Sequence, residues 1–499
     1  MNVTMLLDMA ADGFGDRVAI GRREDGLTAA RLRDAAAVGA AAIREAGADA
    51  VVYLDVNGPA FPVALFAAAR AGVPLVPVNY RLGSEQLDAL LANHPKAFGI
   101  AAPDDQSDAL RRAGISSLTS EAWLNAACDG QVPDDLPPGD DEVPAVVIYT
   151  SGTTSAPKGV LLRHHNLVSY VLGSVEFAGA DADDAALVSV PPYHIAAVAN
   201  VLTNLYAGRR SVVLERFTPA EWLQLVRDQG ITNAMVVPTM LARINEADAD
   251  KSLPTLRTLA YGGAPMPTAV IERALRTWPD VGFVNAYGLT ETSSTIAVLG
   301  PEDHRAALAS DDTAVRARLG SVGRVLPTVE VEIRDMEDRP VDPGVTGRIC
   351  VRGEQVAAEY AGVGRAVDEK GYFDTRDQGY LDEEGYLFIG GRVDDTIIRG
   401  AENIAPAEIE DVLLRHPAVL DAAVVGVPDE EWGQRIEAAV VTRSGAGVES
   451  EELRAFVRGA LRGSKTPDRI EHWEELPRTV TGKLLRRNVV ARLVSGAGD

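Results

Sequence analysis

The chain is poor in cysteine, has no long apolar run and is short of basic charge. Its two cysteines, Cys128 and Cys350, stand in no metal-binding or redox spacing. That argues against a thiolate site and sets a reduced, cytoplasmic location as the expectation. No apolar stretch approaches the ~18 residues that cross a bilayer. Residues 61–69 are among the longest and end at Arg70. Residues 1–10 lack the basic region and apolar core of a secretory signal, so none is expected. Lys and Arg number 48 against 72 Asp and Glu, a formal net charge of −24. This balance speaks against a nucleic-acid partner and against anionic membrane surfaces. It does not speak against small anions, which local donors hold.

What is present is an ordinary globular composition, 46% hydrophobic and 24% charged over 499 residues, too long for one compact core. Short β-branched runs at 51–56, 73–78, 145–149, 187–190, 211–214, 234–237 and 282–285 read as strands. Residues 58–70, 84–92, 220–227 and 268–277 read as helices between them. Alternation of this kind predicts an α/β region of helix-flanked, largely parallel sheets. Beyond about residue 320 the pattern turns β-rich, with strands at 329–334, 347–351 and 386–389. A tail of α+β character follows: a helix over 404–414 with Pro406 in its first turn, strands at 422–427 and 438–442, and a helix over 451–462. The Asp- and Pro-rich stretch 129–144 reads as an exposed loop.

Four segments carry chemistry. The run from Tyr149 and Thr150 through Ser151, Gly152, Thr153, Thr154, Ser155, Ala156 and Pro157 to Lys158 follows a strand. Its hydroxyls, small residues and lysine suit a phosphate-wrapping loop. Pro157 stands where a Walker A loop needs glycine, which counts against a kinase or P-loop ATPase. The second segment is Asn285-Ala286-Tyr287-Gly288-Leu289-Thr290-Glu291-Thr292, at a strand end. Tyr287 offers a flat face for a purine, and Glu291 a hard oxygen ligand for Mg²⁺. The third is Asp374-Thr375-Arg376-Asp377 followed by Gly391-Arg392-Val393-Asp394-Asp395. There a carboxylate can accept ribose hydroxyls and an arginine can steady a phosphate. The fourth is Thr479-Val480-Thr481-Gly482-Lys483 near the C-terminus. Each of the last three alone is compatible with a plain turn or a solvated surface.

In this order and separation, with Pro191-Pro192-Tyr193-His194, residues 261–265 and residues 400–410 beside them, the segments resemble the adenylate-forming enzymes. That superfamily comprises acyl-CoA synthetases, adenylation domains of nonribosomal peptide synthetases and firefly-type luciferases. The likeness spans nearly the whole chain. It implies an N-terminal adenylate-forming domain over 1–391, a hinge over 392–395 that turns at Asp394, and a mobile C-terminal lid over 396–499. It implies that Thr150, Ser151, Gly152, Thr153, Thr154 and Lys158 hold the phosphates of ATP. Gly262, Gly263, Ala264, Asn285, Tyr287 and Gly288 would wall the adenine and acyl pockets, with Tyr193 and His194 at the acyl side. Thr290 would touch phosphate and Glu291 bind Mg²⁺. Asp377, with Arg392, would hold the ribose. Lys483 would bridge the acid's carboxylate and the α-phosphate. Gly400, Ala401, Glu402 and Trp432 would border coenzyme A.

The implied reaction is ATP-dependent conversion of a carboxylic acid to an acyl-AMP and then to a coenzyme A thioester. A carrier protein or another nucleophile is the alternative acceptor, and a non-catalytic binder or a luciferase-like oxygenase is a more distant one. Three residues depart from the family's pattern: Ser155, Arg376 and Ala401 each stand where it has glycine. Ser464, Thr466 and Asp468 lie where related aryl-CoA ligases carry aromatic or basic coenzyme A contacts. No arginine lies in the expected pocket stretches 193–204 and 261–266, which disfavours an acid with a second carboxylate. Ala196, Ala197 and Ala199 suggest room for an aryl or medium-length chain. Oligomeric state is not legible.

Overall fold

The computed structural model describes residues 1–150, 158–399, 402–429, 432–443, 447–461, 463–479 and 482–495. Two large sheets, of nine and eight strands, form the body. In the first, the strands Ala185–Val188, Asn233–Val236, Thr258–Gly262 and Gly282–Leu289 lie side by side and parallel. In the second, Val51–Leu54 pairs in parallel with Leu75–Pro77 and with Phe98–Ala101. The alternation of strand and helix thus becomes the expected α/β body.

The largest apolar cluster draws on both sheets. The helix Ala60–Ala71 shows why. Residues 60 to 69 are all buried, so it has no solvent face and sits wholly inside. It stops at Gly72, whose φ of 80° is a left-handed C-cap. The helix Ile195–Ala207 ends the same way, at Gly208 with φ 77°. It joins the same core through Val198, Val201 and Leu202, while one side of it faces a cavity.

An antiparallel four-stranded sheet, Glu330–Arg334, Gly347–Arg352, Phe373–Leu381 and Leu387–Arg392, closes the body. The C-terminal part is a three-stranded sheet with helices on both faces. The two-residue period of the strand Val419–Asp429 decides the layering. Ala422 and Val424 pack with Ile409 and Leu453 from the helices Pro406–Arg415 and Ser450–Ala460. Ala423, Val425 and Val427 pack on the other face with Val489 and Leu493 of the helix Arg486–Ser495. Ile404, expected at a helix start, instead ends the short strand Glu402–Ile404, and the helix begins at Pro406. Pro406 lacks the N–H a strand or helix interior would use, so it suits that first position.

Candidate active site

The strand Gly282–Leu289 and its antiparallel neighbour Ser294–Leu299 are joined by a single 3-10 turn, Thr290–Thr292. Ser293 and Ser294 follow it with φ of 54° and 105°. Such backbone costs on the order of 1–3 kcal/mol per residue and gathers at functional sites. Thr292 Oγ1 accepts from Leu289 N at 2.9 Å and donates to Ser294 O at 2.8 Å, which secures the turn. The turn projects Thr290 and Glu291 from the carboxyl end of the strand, where α/β sheets bind ligands. A Cβ on Gly288 would strike the Ser294 carbonyl, and one on Gly262 the Ala286 carbonyl. Both glycines therefore serve close strand packing. Gly263, with φ 80°, and Ala264 form the turn beyond. Asn285 is tied down by its amide, which donates to Ser321 O at 3.0 Å.

Asp377 is the hub. It pairs in register with Arg392 on the next strand. Arg392 Nη1 stands 3.7 Å from Asp377 Oδ1, an ion pair too long for a hydrogen bond. Tyr287 Oη donates to Asp377 Oδ2 at 2.6 Å. Burial pushes the Asp377 carboxyl above its ordinary value, with Glu291 adding to the rise. The Tyr287 hydrogen bond, Arg392 and Lys483 oppose it. Arg392 Nε is buried with no hydrogen-bond partner among the described residues.

Glu291 has a partner that no motif suggested. Tyr360 Oη donates to Glu291 Oε1 at 2.9 Å, and Lys158 Nζ lies 5.9 Å from the Tyr360 ring centroid. Burial, then the Glu291 charge, drives the Tyr360 phenol well above its usual range. Tyr360 thus ties the base of the predicted phosphate loop to the predicted metal ligand. Nothing in its local sequence signals this, because the contact spans far-apart strands.

Lys483 arrives from the other end of the chain. Its backbone N donates to Thr479 Oγ1 at 3.0 Å. The preceding Gly482 has φ 80° and packs so closely on Thr239 that a Cβ would clash with its hydroxyl. The Lys483 charge is felt by both Asp377 and His194. Burial first, and Lys483 second, lower His194 to about 4, so it is neutral at physiological pH. His194 occupies the N-cap position of the helix Ile195–Ala207, without a side-chain capping bond. Beside it, Tyr193 is 5.3 Å from the His194 ring and 5.6 Å from that of Tyr80.

The left-handed conformation that a family glycine would supply is present at Arg376, with φ 60°. Asp374 Oδ1 accepts from Arg376 N at 2.8 Å and holds the turn, and Arg376 Nη1 reaches within 3.9 Å of Asp394. Trp432 is 46% exposed, so it covers no core. The Arg399 guanidinium lies 5.5 Å from its ring and donates to Asp468 at 2.8 Å. Thr150 and Lys158 are register partners on adjacent strands. Ser151, Gly152, Thr153, Thr154 and Ser155 between them lie outside the described residues, as do Gly400, Ala401, Val480 and Thr481. Glu402 is described only as part of a strand.

A cavity of about 180 Å³ opens between the helix Ile195–Ala207 and the strands Asn233–Val236, Thr258–Gly262 and Gly282–Leu289. Its walls include Ala196, Ala199, Met235, Ala260 and Ala286. Tyr193, His194, Gly262 and Gly263, expected at the acyl pocket, are not part of the lining; Ala196, two residues beyond His194, and Ala260, two before Gly262, are. Arg209, outside the stretches searched for arginine, does line it.

Strand ends carrying a buried aspartate with an arginine partner, a projecting glutamate and a lysine from the C-terminal part define a nucleotide-activating ligase. The comparisons agree. The family described as AMP-binding enzyme matches residues 7–361, and the AMP-binding enzyme C-terminal domain matches residues 408–483. A feruloyl-CoA synthase of Amycolatopsis sp is 36% identical over 476 residues, 93% of this chain and 94% of that protein. A fatty acid–acyl-carrier-protein ligase of Streptomyces coeruleorubidus is 34% identical, over 88% and 86% of the two chains. The o-succinylbenzoate CoA synthetase of Bacillus subtilis, solved with its acyl-adenylate intermediate, superposes with a TM-score of 0.84 at 27% identity and 97% coverage of both. The same enzyme is also solved with ATP and a magnesium ion. The chain belongs to the AMP-binding enzyme family, and it is an AMP-forming acid–CoA ligase by type. ATP and Mg²⁺ are the cofactors of that type, and coenzyme A its co-substrate. Among the described residues no three metal-ligating side chains cluster. One half-buried carboxylate, Glu291, fits Mg²⁺ that is held mainly by phosphates and water. No described helix is long and apolar enough to cross a membrane.

Proposed function

We propose that this chain joins a small aryl acid to coenzyme A, and that its described residues divide the work as follows. Asp377 and Arg392 hold the ribose, with the Tyr287 ring against the base. Glu291, braced by Tyr360, and Thr290 sit at the phosphates. Mg²⁺, when bound, screens phosphate charge at Glu291. Lys483 supplies the positive charge that offsets repulsion between the acid's carboxylate and the α-phosphate, and it steadies charge building there. Neutral His194 adds no competing charge at that point. The cavity beside it takes the acyl group. The single observation carrying this reading is the close packing of Gly482 on Thr239 of the body, which sets the next residue, Lys483, where its charge reaches Asp377 and His194.

The same reading divides the chain at 392–395. The short turn Val393–Asp395 separates Arg392, on the body's last strand, from Ile397, which packs in the lid's own core. A lid that carries Lys483 in for adenylation and away for thiol attack needs such a joint. Exposed Trp432, beside Arg399, stacks on the coenzyme's adenine in this reading. Pyrophosphate release from a panel of aryl and aliphatic acids, with and without coenzyme A, tests the proposal. Aryl acids should release pyrophosphate and yield thioesters. Adenylation without thioester, rescued by a carrier protein, would favour the carrier-loading alternative, which the fatty acid–acyl-carrier-protein ligase relative keeps in view.

A further inference from the structure

The acyl cavity changes character along its length. In the first turns of the helix after His194 the lining is Ala196 and Ala199, and the strands add Ala260 and Ala286. Further along the same helix come Asn200 and Asn204, one turn apart on one face, and then Arg209 past the glycine cap. At 1.5 Å per residue, Asn204 lies about 15 Å along the helix from His194. That is the far end for an acid whose carboxylate sits by Lys483.

The neighbouring arginines at 209 and 210 show what is unusual. Arg210 is satisfied by the protein: it donates to Gly21 O at 3.1 Å, to Gln229 Oε1 at 3.1 Å and to Gln229 O at 2.7 Å. Arg209 has one side-chain bond among the described residues, from Nη1 to Asn204 Oδ1 at 3.0 Å. Its Nε is buried without a partner. No carboxylate forms an ion pair with it among the described residues. Asp184 acts on it only from a distance and stands 3.2 Å from Arg257. Burial lowers the Arg209 pKa, so its charge is poorly compensated. Asn204 is itself 3% exposed. Its amide nitrogen stands 3.5 Å from Asn200 Oδ1, at the limit of a hydrogen bond. The Arg209 side chain thus lines the cavity with a single hydrogen bond to the protein, and a guanidinium in such a wall favours an occupant that accepts from it.

Resting on the reading of this cavity as the acyl pocket, we propose that Arg209, with Asn204 and Asn200, recognises an oxygen acceptor at the end of the acid remote from its reacting carboxylate. A ring hydroxyl or a second carboxylate presents such an oxygen, and an alkyl tail does not. The substrate class is thus an aryl acid with a distal oxygen function. This reverses the expectation, drawn from stretches that stop at residue 204, that the pocket holds no arginine. The neighbouring alanines leave width for a ring, and the polar end sets what the ring must carry.

The test compares three acids of one shape, bearing a para hydroxyl, a para carboxylate or a para methyl group, by pyrophosphate release. The wild type should prefer one or both oxygen-bearing acids over the methyl acid by roughly tenfold or more in kcat/KM. Preference for the hydroxyl acid marks a neutral acceptor, and preference for the carboxylate an anionic one. Arg209→Met should bring the preference toward one. Arg209→Lys should restore part of it for the carboxylate, because charge returns without the planar fork. If Arg209→Met does not fold, Asn200→Leu reads the same ratio from a half-buried position. A wild type that ignores the para group, or a ratio that survives both substitutions, overturns the proposal and leaves the acyl-pocket reading standing. Failure of every acid to release pyrophosphate overturns both.

Discussion

The site is built from two unlike regions. The body contributes Tyr287, Glu291, Tyr360, Asp377 and Arg392, each fixed by strand register or by a hydrogen bond to another of the set. The C-terminal domain contributes Lys483 on a glycine turn. Its described ties to the body are few and mostly polar: Thr268 Oγ1 donates to Asp411 at 3.2 Å, and Arg443 pairs with Glu246 at 2.7 Å. The pair Arg443–Glu246 is partly exposed, and such pairs contribute about 0–1 kcal/mol. One region is tied together internally and the other joins it by few contacts. On the proposed reading, nucleotide binding is kept constant while the charge needed for one half-reaction comes and goes.

The sharpest way to break the comparison is to remove the delivered charge. Lys483→Ala is expected to cut acyl-adenylate formation by about two orders of magnitude or more, the scale for losing one preorganised charge. Thioester formation from a supplied acyl-adenylate should persist. Equal loss in both assays would mean that Lys483 belongs to the fixed set.

Locking the joint is the next largest perturbation. Asp394→Pro fixes φ within the turn Val393–Asp395. One half-reaction should fall at least roughly tenfold further than the other. A uniform mild loss would place the pivot elsewhere.

Two substitutions then sharpen the contrast at about the tenfold level. Tyr287→Phe deletes the hydrogen bond to buried Asp377, and losing about 1.4 kcal/mol should raise the KM for ATP roughly tenfold. The KM for coenzyme A should hold. Trp432→Ala should do the reverse, raising the KM for coenzyme A roughly tenfold through lost stacking. With a side chain 46% exposed, its melting temperature should stay near wild type.

The smallest expected effect is a titration. His194 and His164 are both lowered to about 4, chiefly by burial. The unfolded chain takes up protons near the ordinary histidine value of about 6.5, and the folded chain resists until about 4. Stability is therefore full above that ordinary value and falls as pH drops through this window. The lysine's share gives a reporter of the docked lid: in Lys483→Ala, the His194 pKa followed by NMR should move upward. An unchanged value would show that Lys483 does not reside beside it.

Much of the body was legible in advance because its cues are local. The buried strands and the helices at 84–91, 219–228 and 268–277 announce themselves by period and by cap or turn residues. The amphipathic helix from Pro406 does the same, apart from Ile404, which its neighbour Ile397 recruits into a strand pair. The Arg376 departure was visible as a missing glycine. Only the structure showed the positive φ there, and the Asp374 side chain that supports it.

What the sequence by itself determined is the chemistry available: a hydroxyl-rich loop before a lysine, a glutamate at a strand end, an aspartate followed by an arginine, and a lysine after a glycine. These are properties of residue types at short spacing. The tertiary structure alone decided which distant groups meet. Tyr360 reaches Glu291 across 69 positions, and Lys483 comes to His194 and Asp377 from the last domain. Arg209 turns back along its helix to Asn204 and into the cavity, while Arg210 turns into the body and is satisfied there. Nothing local separates those two arginines. Their roles diverge because packing gives one of them protein acceptors and leaves the other at the cavity wall.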